Sequence, residues 1–358
     1  MQLFQDFFDQ SKQLNQAPFN AQQKLPCHGQ TQKYKIILIG LKIPNLPAPL
    51  HYLNFFAQIG QPQLPLLRNE YLISTHALDT VSVMCSSSPH MAGQLNSYSL
   101  DKDCLITDNG FYFADREQIQ RSAKHFEFKR SDSELSFKLN AEETKLVSCF
   151  SKLRMGLAEH WSALSRCEGE IIYKGQHIAV QHQGALEFAR SWNFPYFPLA
   201  YYCMQIINLS NRQQLIFMHL RDSLNRILQS RIYIKDPEQN LAQLYDQGVI
   251  FRIHRVYPRI TAPNGQKMYL PREFEWRLQA AGINLYLRGQ SRGDFKFGLG
   301  AGFAGSFSYS ICLNGAEEIG ESAYCEYIDC RALNWQEQNK QDKIMDQLAE
   351  SVPIFLKK

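Results

Sequence analysis

Tyr324, Glu326 and Ile328 alternate with Cys325, Tyr327 and Asp329 in the run GESAYCEYID at residues 320–329. In a β-strand each triplet occupies one face, and either triplet fits an interior. A carboxyl drawn into apolar surroundings favours its neutral form, because desolvation disfavours the charge. A neutral carboxylic acid is the general acid that alkene hydration or isomerisation requires, which makes Glu326 the first candidate acid, with Tyr324 beside it. The plainer alternative is a structural ion pair between Glu326 and Arg288 or Arg277.

Glu187 and Arg190 form a second candidate pair near the middle of the chain. Three residues apart in a regular strand, they project to opposite faces and meet only across a bulge. Glu187 is a second candidate acid, and Arg190 either orients a developing charge or clamps the two halves of the chain together. In 213–221, Ile216, Met218 and Leu220 make a wholly apolar face that should be buried, which turns His219 outward or toward the other half. Tyr201 and Tyr202 straddle a strand, so one hydroxyl lies near an interior and needs a partner. His177 and His182 do not match a metal-binding spacing, and no metal or cofactor is expected. The run GLGAGFAG at 298–305 lacks the strand-to-helix setting of a nucleotide loop and reads as a sharp bend or a close backbone approach. No Gly-x-Ser-x-Gly elbow occurs.

The elements that must hold these groups are strands. Aromatic residues reach 12% of 358, with 23 Phe and 17 Tyr, a composition that favours β structure and apolar pockets over helical bundles. Short apolar runs separated by turn residues recur throughout: KIILIGLKI, YLIST, DTVSVMC, GFYFA, HFEFK and LSFKL. In HFEFK, Phe126 and Phe128 share a face. Their spacing is that of a meander or barrel. Residues 168–180 read as a hairpin turning at Lys174-Gly175, and residues 199–221 as a second one turning at Ser210-Asn211-Arg212. A helix is expected over 2–13, with Leu3, Phe4, Phe7 and Phe8 on one face, a helical turn within 237–247, and a C-terminal helix over 334–352. The prolines of NFPYFP at 193–198 place a hinge there. The division is an N-terminal helix and connector (1–33), a first β domain (34–192), a second (193–333) and a C-terminal helix (334–358).

A net charge of +4 with no dense basic stripe argues against nucleic acid. Nine cysteines, an odd number without a C-x-x-C pair, suit reduced thiols. Neither a secretory leader nor an 18-residue apolar span is present, so a cytoplasmic protein without a membrane span is expected.

The second half carries a resemblance. Trp192, Phe194 and Pro198 precede the 199–221 hairpin, the stretch 257–278 contains Pro271 and Trp276, and the chain then reaches Gly320, Tyr324 and Glu326. This order resembles the tandem lipocalin-like family that includes carotenoid 1,2-hydratase and fungal Diels-Alderase relatives. The resemblance implies an all-β chain of two lipocalin-like antiparallel barrels or sandwiches, the second ending on a Gly-x-x-Tyr-x-Glu strand. It further implies a hydrophobic metabolite, such as an isoprenoid or lipid, held and converted without a cofactor by acid-catalysed hydration, isomerisation or cyclisation. A carrier without chemistry is the alternative. Under that resemblance Arg190, Trp192, Tyr201, Tyr202, His219 and Trp276 become ligand contacts, and Glu326, Glu187 and Tyr324 the catalytic groups.

Overall fold

The computed structural model describes residues 9–16, 27–89, 94–194 and 199–332. It is all-β and is built from two large antiparallel sheets, each curling toward a barrel. The first contains β1 (Ile36–Ile43), β2 (Leu53–Ile59), β3 (Thr80–Ser86), β4 (Leu95–Ser99), β5 (Cys104–Thr107), β6 (Gly110–Phe113), β7 (Glu117–Ser122), β8 (His125–Arg130), β9 (Leu135–Lys152), β10 (Ala158–Tyr173) and β11 (Gln176–Ser191). Its spatial order is β4-β3-β2-β1-β11-β10-β9-β8-β7-β6-β5.

The second sheet begins with β12 (Leu199–Asn208), β13 (Gln214–Asp222), β14 (Ile227–Asp236), β15 (Leu241–Tyr245) and β16 (Val249–Val256). A small separate ribbon of β17 (Ile260–Thr261) and β18 (Lys267–Met268) intervenes. The sheet continues through β19 (Pro271–Ala280), β20 (Ile283–Ser291), β21 (Lys296–Leu299), β22 (Gly302–Leu313) and β23 (Ala316–Asp329). Its order is β15-β14-β13-β12-β23-β22-β20-β19-β16, with β21 paired to β22.

Both sheets follow one rule: the first strand pairs with the last, β1 with β11 and β12 with β23. These two central pairs pack against each other, so their strands are buried on both faces. That accounts for near-continuous apolar runs such as IILIGLKI. On β1, Ile37, Ile39, Leu41 and Ile43 fill the first sheet's interior with Phe55, Phe128 and Phe188, while Leu38 faces the second sheet. On β12 and β13, Cys203, Ile207, Leu215 and Phe217 fill the second interior around Trp276, while Met204, Ile206, Ile216 and Met218 face the first sheet.

Both expected hairpins form. Lys174 and Gly175 take the positive φ of the first turn, and β12 and β13 pair in continuous register from Tyr201 with Arg221 to Asn208 with Gln214, after a bulge between Leu199 and Tyr201. The glycine run at 298–305 makes the β21–β22 turn. Gly300 has φ +53, and a Cβ there would lie 2.5 Å from the Leu66 carbonyl oxygen in the β2–β3 connection, so the run is both a bend and a close approach.

Other expectations are corrected. YLIST is not a strand: Glu70–Leu72 is a single 3₁₀ turn whose amides bond locally, Leu72 N–H to Asn69 and Ile73 N–H to Glu70, and Tyr71 is exposed. The helical turn expected within 237–247 is instead the edge strand β15, because the free edge of β14 offers it a ladder of hydrogen bonds. An N-terminal helix is described only as Ser11–Gln16. Most of the expected 2–13 helix, and all of the 334–352 helix, lie outside the described residues. No described helix is long and apolar enough to cross a membrane. All nine cysteines are free thiols.

Phe55 is fully buried, with its ring 5.3 Å from Phe128 and 6.3 Å from Phe137. Phe55→Ala is expected to cost about 3–5 kcal/mol in urea-induced unfolding, as the cavity left in the first interior cannot fully collapse.

Candidate functional site

A lysine joins the two sheets. Lys42 Nζ lies 2.5 Å from Glu187 Oε2 of the first sheet and 2.8 Å from Glu326 Oε1 of the second, and all three side chains are nearly inaccessible. Small neighbours make the reach possible. In register Glu187 faces Gly40 and Lys42 faces Ala185, so the ammonium crosses diagonally over positions with little or no side chain. Glu326 is flanked by Met204 on β12 and Ala304 on β22.

Two hydroxyls complete the shell of Glu326: Tyr202 donates to Oε2 at 2.9 Å and Tyr324 to Oε1 at 2.8 Å. His160 Nε2 sits 3.2 Å from Glu187 Oε2, and its ring stands edge-on to Phe150 at 4.9 Å. Lys235, also fully buried, donates to the carbonyl and hydroxyl oxygens of Ser162 at 3.0 and 3.2 Å.

The electrostatics follow from one cation among buried acids. Burial works to raise the pKa of Glu187, but the Lys42 ammonium and His160 outweigh it and hold the carboxyl at about 2. Burial pulls Lys42 down, and the charges of Glu187 and Glu326 overcome it, leaving the ammonium above its ordinary range. Lys235 has only the more distant Glu187 in compensation, so burial lowers it to about 7. The hydroxyls of Tyr202 and Tyr324 are driven well up by burial and by Glu326, which keeps both as donors.

This cluster forms part of the wall of a cavity of about 660 Å³ between the sheets. Lys42, His160, Glu187, Tyr202 and Glu326 reach the wall, and much of the remainder is apolar: Leu38, Phe56, Leu66, Phe150, Met218, Leu299 and Ile328 among others. That size and mix suit a small molecule with an apolar body and a polar head.

The residues singled out from sequence separate into three places. Glu326, Glu187, Tyr324 and Tyr202 meet at the cluster. Arg190 and Trp192 line the rim of the cavity. Glu187 and Arg190 do point apart, but Arg190 does not clamp the halves together: Nη1 lies 2.6 Å from His28 Nε2, Nη2 pairs with Glu159, and the guanidinium covers Tyr34, all of them in the first half. The arginine that crosses between sheets is Arg231, which donates to Ser11 Oγ at 2.8 Å and to the Phe150 carbonyl at 3.3 Å.

Tyr201, His219 and Trp276 are packed together inside the second sheet. Trp276 donates to Gln205 Oε1 at 2.8 Å, and burial lowers His219 to about 3. The orientation expected for His219 is thus reversed. Its face is the interior one, and the apolar Ile216–Met218 face is buried against the other sheet, because both faces of β13 are covered. Nor does Glu326 pair with Arg277 or Arg288, which engage Glu275 and Glu273 on the far side of β19.

Sequence reasoning passed over Lys42, His160 and Lys235. For Lys42 a signal existed: a lone lysine in an otherwise apolar strand buried on both faces must find an anion there. Among the described residues, no group of three or more His, Cys, Asp or Glu side chains is placed to hold a metal.

The family model described as "Family of unknown function (DUF6670)" matches residues 56–342. The chain belongs to this family. No curated protein matches the DUF6670 chain significantly. Among solved structures, a protein from Nitrosomonas europaea provisionally assigned as an AttH is similar at TM-score 0.60 and 12% identity, covering 88% of this chain and 99% of that one. Kievitone hydratase from Nectria haematococca is similar at TM-score 0.50 and 10% identity, covering 82% and 89%. A complex of CghA with Sch210972 gives TM-score 0.43 at 8% identity, covering 88% and 97%. At these identities the likeness to the first two shows a shared fold.

Replacing Lys42 with Met strands two buried carboxylates, and urea unfolding is expected to show a loss of about 3–5 kcal/mol. Glu187 adds a pH signature. Its pKa in the folded chain, about 2, lies below the ordinary 4.5. The stability it contributes is therefore present above about pH 4.5 and lost as pH falls toward 2. The difference in unfolding free energy between the parent protein and Glu187→Gln is expected to shrink across that window. A constant difference would contradict the assignment.

Proposed function

We propose that the cavity between the sheets binds an apolar small molecule bearing a polar group, and that the ionic cluster on its wall transfers a proton to a double bond or carbonyl of that molecule. The observation that carries this reading is the juxtaposition itself: Lys42, Glu187, Glu326, Tyr202 and His160 converge on one patch of a largely apolar wall. The fold relative named a hydratase supports hydration as the first reaction to assay.

The geometry suggests a division of labour. Glu187, held ionised by Lys42, is an acceptor, and its contact with His160 orients an imidazole whose side chain is partly open to the cavity. An imidazole can both give and recover a proton, the two halves of general acid–base work. In a hydration, protonated His160 passes its proton to one carbon of the double bond, water adds to the other carbon, and the proton shed by that water returns to the imidazole. One water is added and the protein is unchanged. Tyr202, whose own proton is committed to Glu326, presents its oxygen to a substrate hydroxyl, and Glu326 with Tyr324 fixes that tyrosine and the lysine. Glu326 thereby sits among polar partners rather than in the apolar setting from which its role as a neutral acid was expected.

A second reading has its own support. The Lys42 network joins the two sheets and could serve that purpose alone, in which case the chain is a carrier of apolar ligands. Native mass spectrometry of protein purified from its own host is expected to show one apolar compound per chain, and a cavity-filling Leu38→Trp variant is expected to lose it. An empty parent protein, or equal occupancy in the variant, would sink ligand binding. Incubating the identified compound with His160→Gln then separates the readings: catalysis predicts retained binding and at least a hundredfold slower conversion, on the order of a general acid–base contribution, whereas a carrier leaves the compound unconverted even by the parent protein.

A further inference from the structure

We infer that the mouth of the cavity docks on an anionic lipid surface, from which the apolar ligand enters and to which it returns. The inference rests on the binding reading above and adds to it the source of the ligand.

Three turns meet at the mouth. Trp192 N–H donates to the Leu157 carbonyl at 3.0 Å, which holds the end of β11 against the β9–β10 turn. Lys33 Nζ donates to the Met155 carbonyl at 3.3 Å and lies 5.9 Å from the Trp192 ring. Pairing of Leu199 with Asp222 brings the β13–β14 turn to the same end, and Trp192 and Ile227 both line the cavity.

These turns display large apolar side chains to solvent. Met155 is 80% exposed, Leu224 63%, Ile227 54% and Trp192 39%. They are four of the ten large exposed apolar side chains among the described residues, gathered where the apolar cavity opens. An isolated exposed leucine needs no explanation, but a rim of them continuous with an apolar cavity marks an interaction surface.

Charge selects the partner. The same end carries Lys33, Arg154 and Arg226; Arg226 is exposed but paired through Nε with Asp222 at 2.6 Å, and the acids beside the turns, Asp222 and Glu159, are 1% and 3% exposed, so the charges that reach the surface here are cationic. Apolar tips flanked by cations, with a tryptophan among them, match the boundary between acyl chains and anionic headgroups. A bilayer also dissolves the kind of ligand the cavity suits, so docking spares that ligand a passage through water.

Sedimentation with vesicles of phosphatidylcholine, with and without phosphatidylserine, tests the inference. The parent protein is expected to sediment with phosphatidylserine vesicles, less so without the anionic lipid, and less so in high salt, which screens the cations. Met155→Ser combined with Leu224→Ser removes apolar tips that do not line the cavity. It is expected to weaken vesicle binding about tenfold or more while leaving thermal unfolding unchanged. No sedimentation of the parent protein, or equal binding by the double variant, overturns the inference, as does loading of the parent protein from a protein donor in place of vesicles. Adding the identified compound to the double variant in vesicle-free solution keeps the two readings apart: uptake with lost vesicle binding supports both, and uptake with unaltered vesicle binding removes the docking surface alone.

Discussion

The architecture turns on one ammonium group held between two sheets. Lys42 has no solvent to stabilise its charge, and its attraction to Glu187 and Glu326 offsets the desolvation of all three only while the sheets stay in register. A shift of either central strand pair by one residue would turn one of these side chains into an aliphatic interior. The network therefore fixes how the sheets face each other as well as what chemistry stands at their junction. With one cation between two carboxylates, the cluster depends on further donors, and Tyr202, Tyr324 and His160 supply them.

Topology explains why such a cluster can exist in an all-β chain. Because first and last strands pair in each sheet, the most central strands are also those that touch the opposite sheet, and each has two buried faces. One face packs a private core, the Phe55–Phe128 group in the first sheet and the Trp276–Phe274 group in the second. The other face is shared. Polar groups placed on the shared face are removed from water by the partner sheet, yet the opening between the sheets leaves part of them against a cavity. The Lys42 cluster thus stands at the junction and not in either interior.

Strand alternation and turn chemistry made most of the fold legible in the sequence. Lys174-Gly175, Ser210-Asn211-Arg212 and the 298–305 glycines announced their turns, and HFEFK its inward phenylalanines. YLIST misled because short apolar runs carry no information about whether a neighbouring strand is available to pair with them. The site was half legible. Tyr324 and Glu326 share a face by simple alternation, but alternation alone cannot say which of two buried faces a residue occupies, and that ambiguity reversed His219. Lys42, His160 and Glu187 are separated by more than a hundred residues between first and second members, and only the pairing of β1 with β11 and of β11 with β10 unites them.

The most direct measurement is a crystal structure of the protein with the compound that accompanies it from its own host. The compound is expected in the cavity between the sheets, with its apolar body against Phe56, Met218 and Ile328 and a polar atom within about 3.2 Å of His160 or Tyr202. Density for the compound inside either sheet, beside Trp276 and His219 for example, or only on an outer face, would contradict the account.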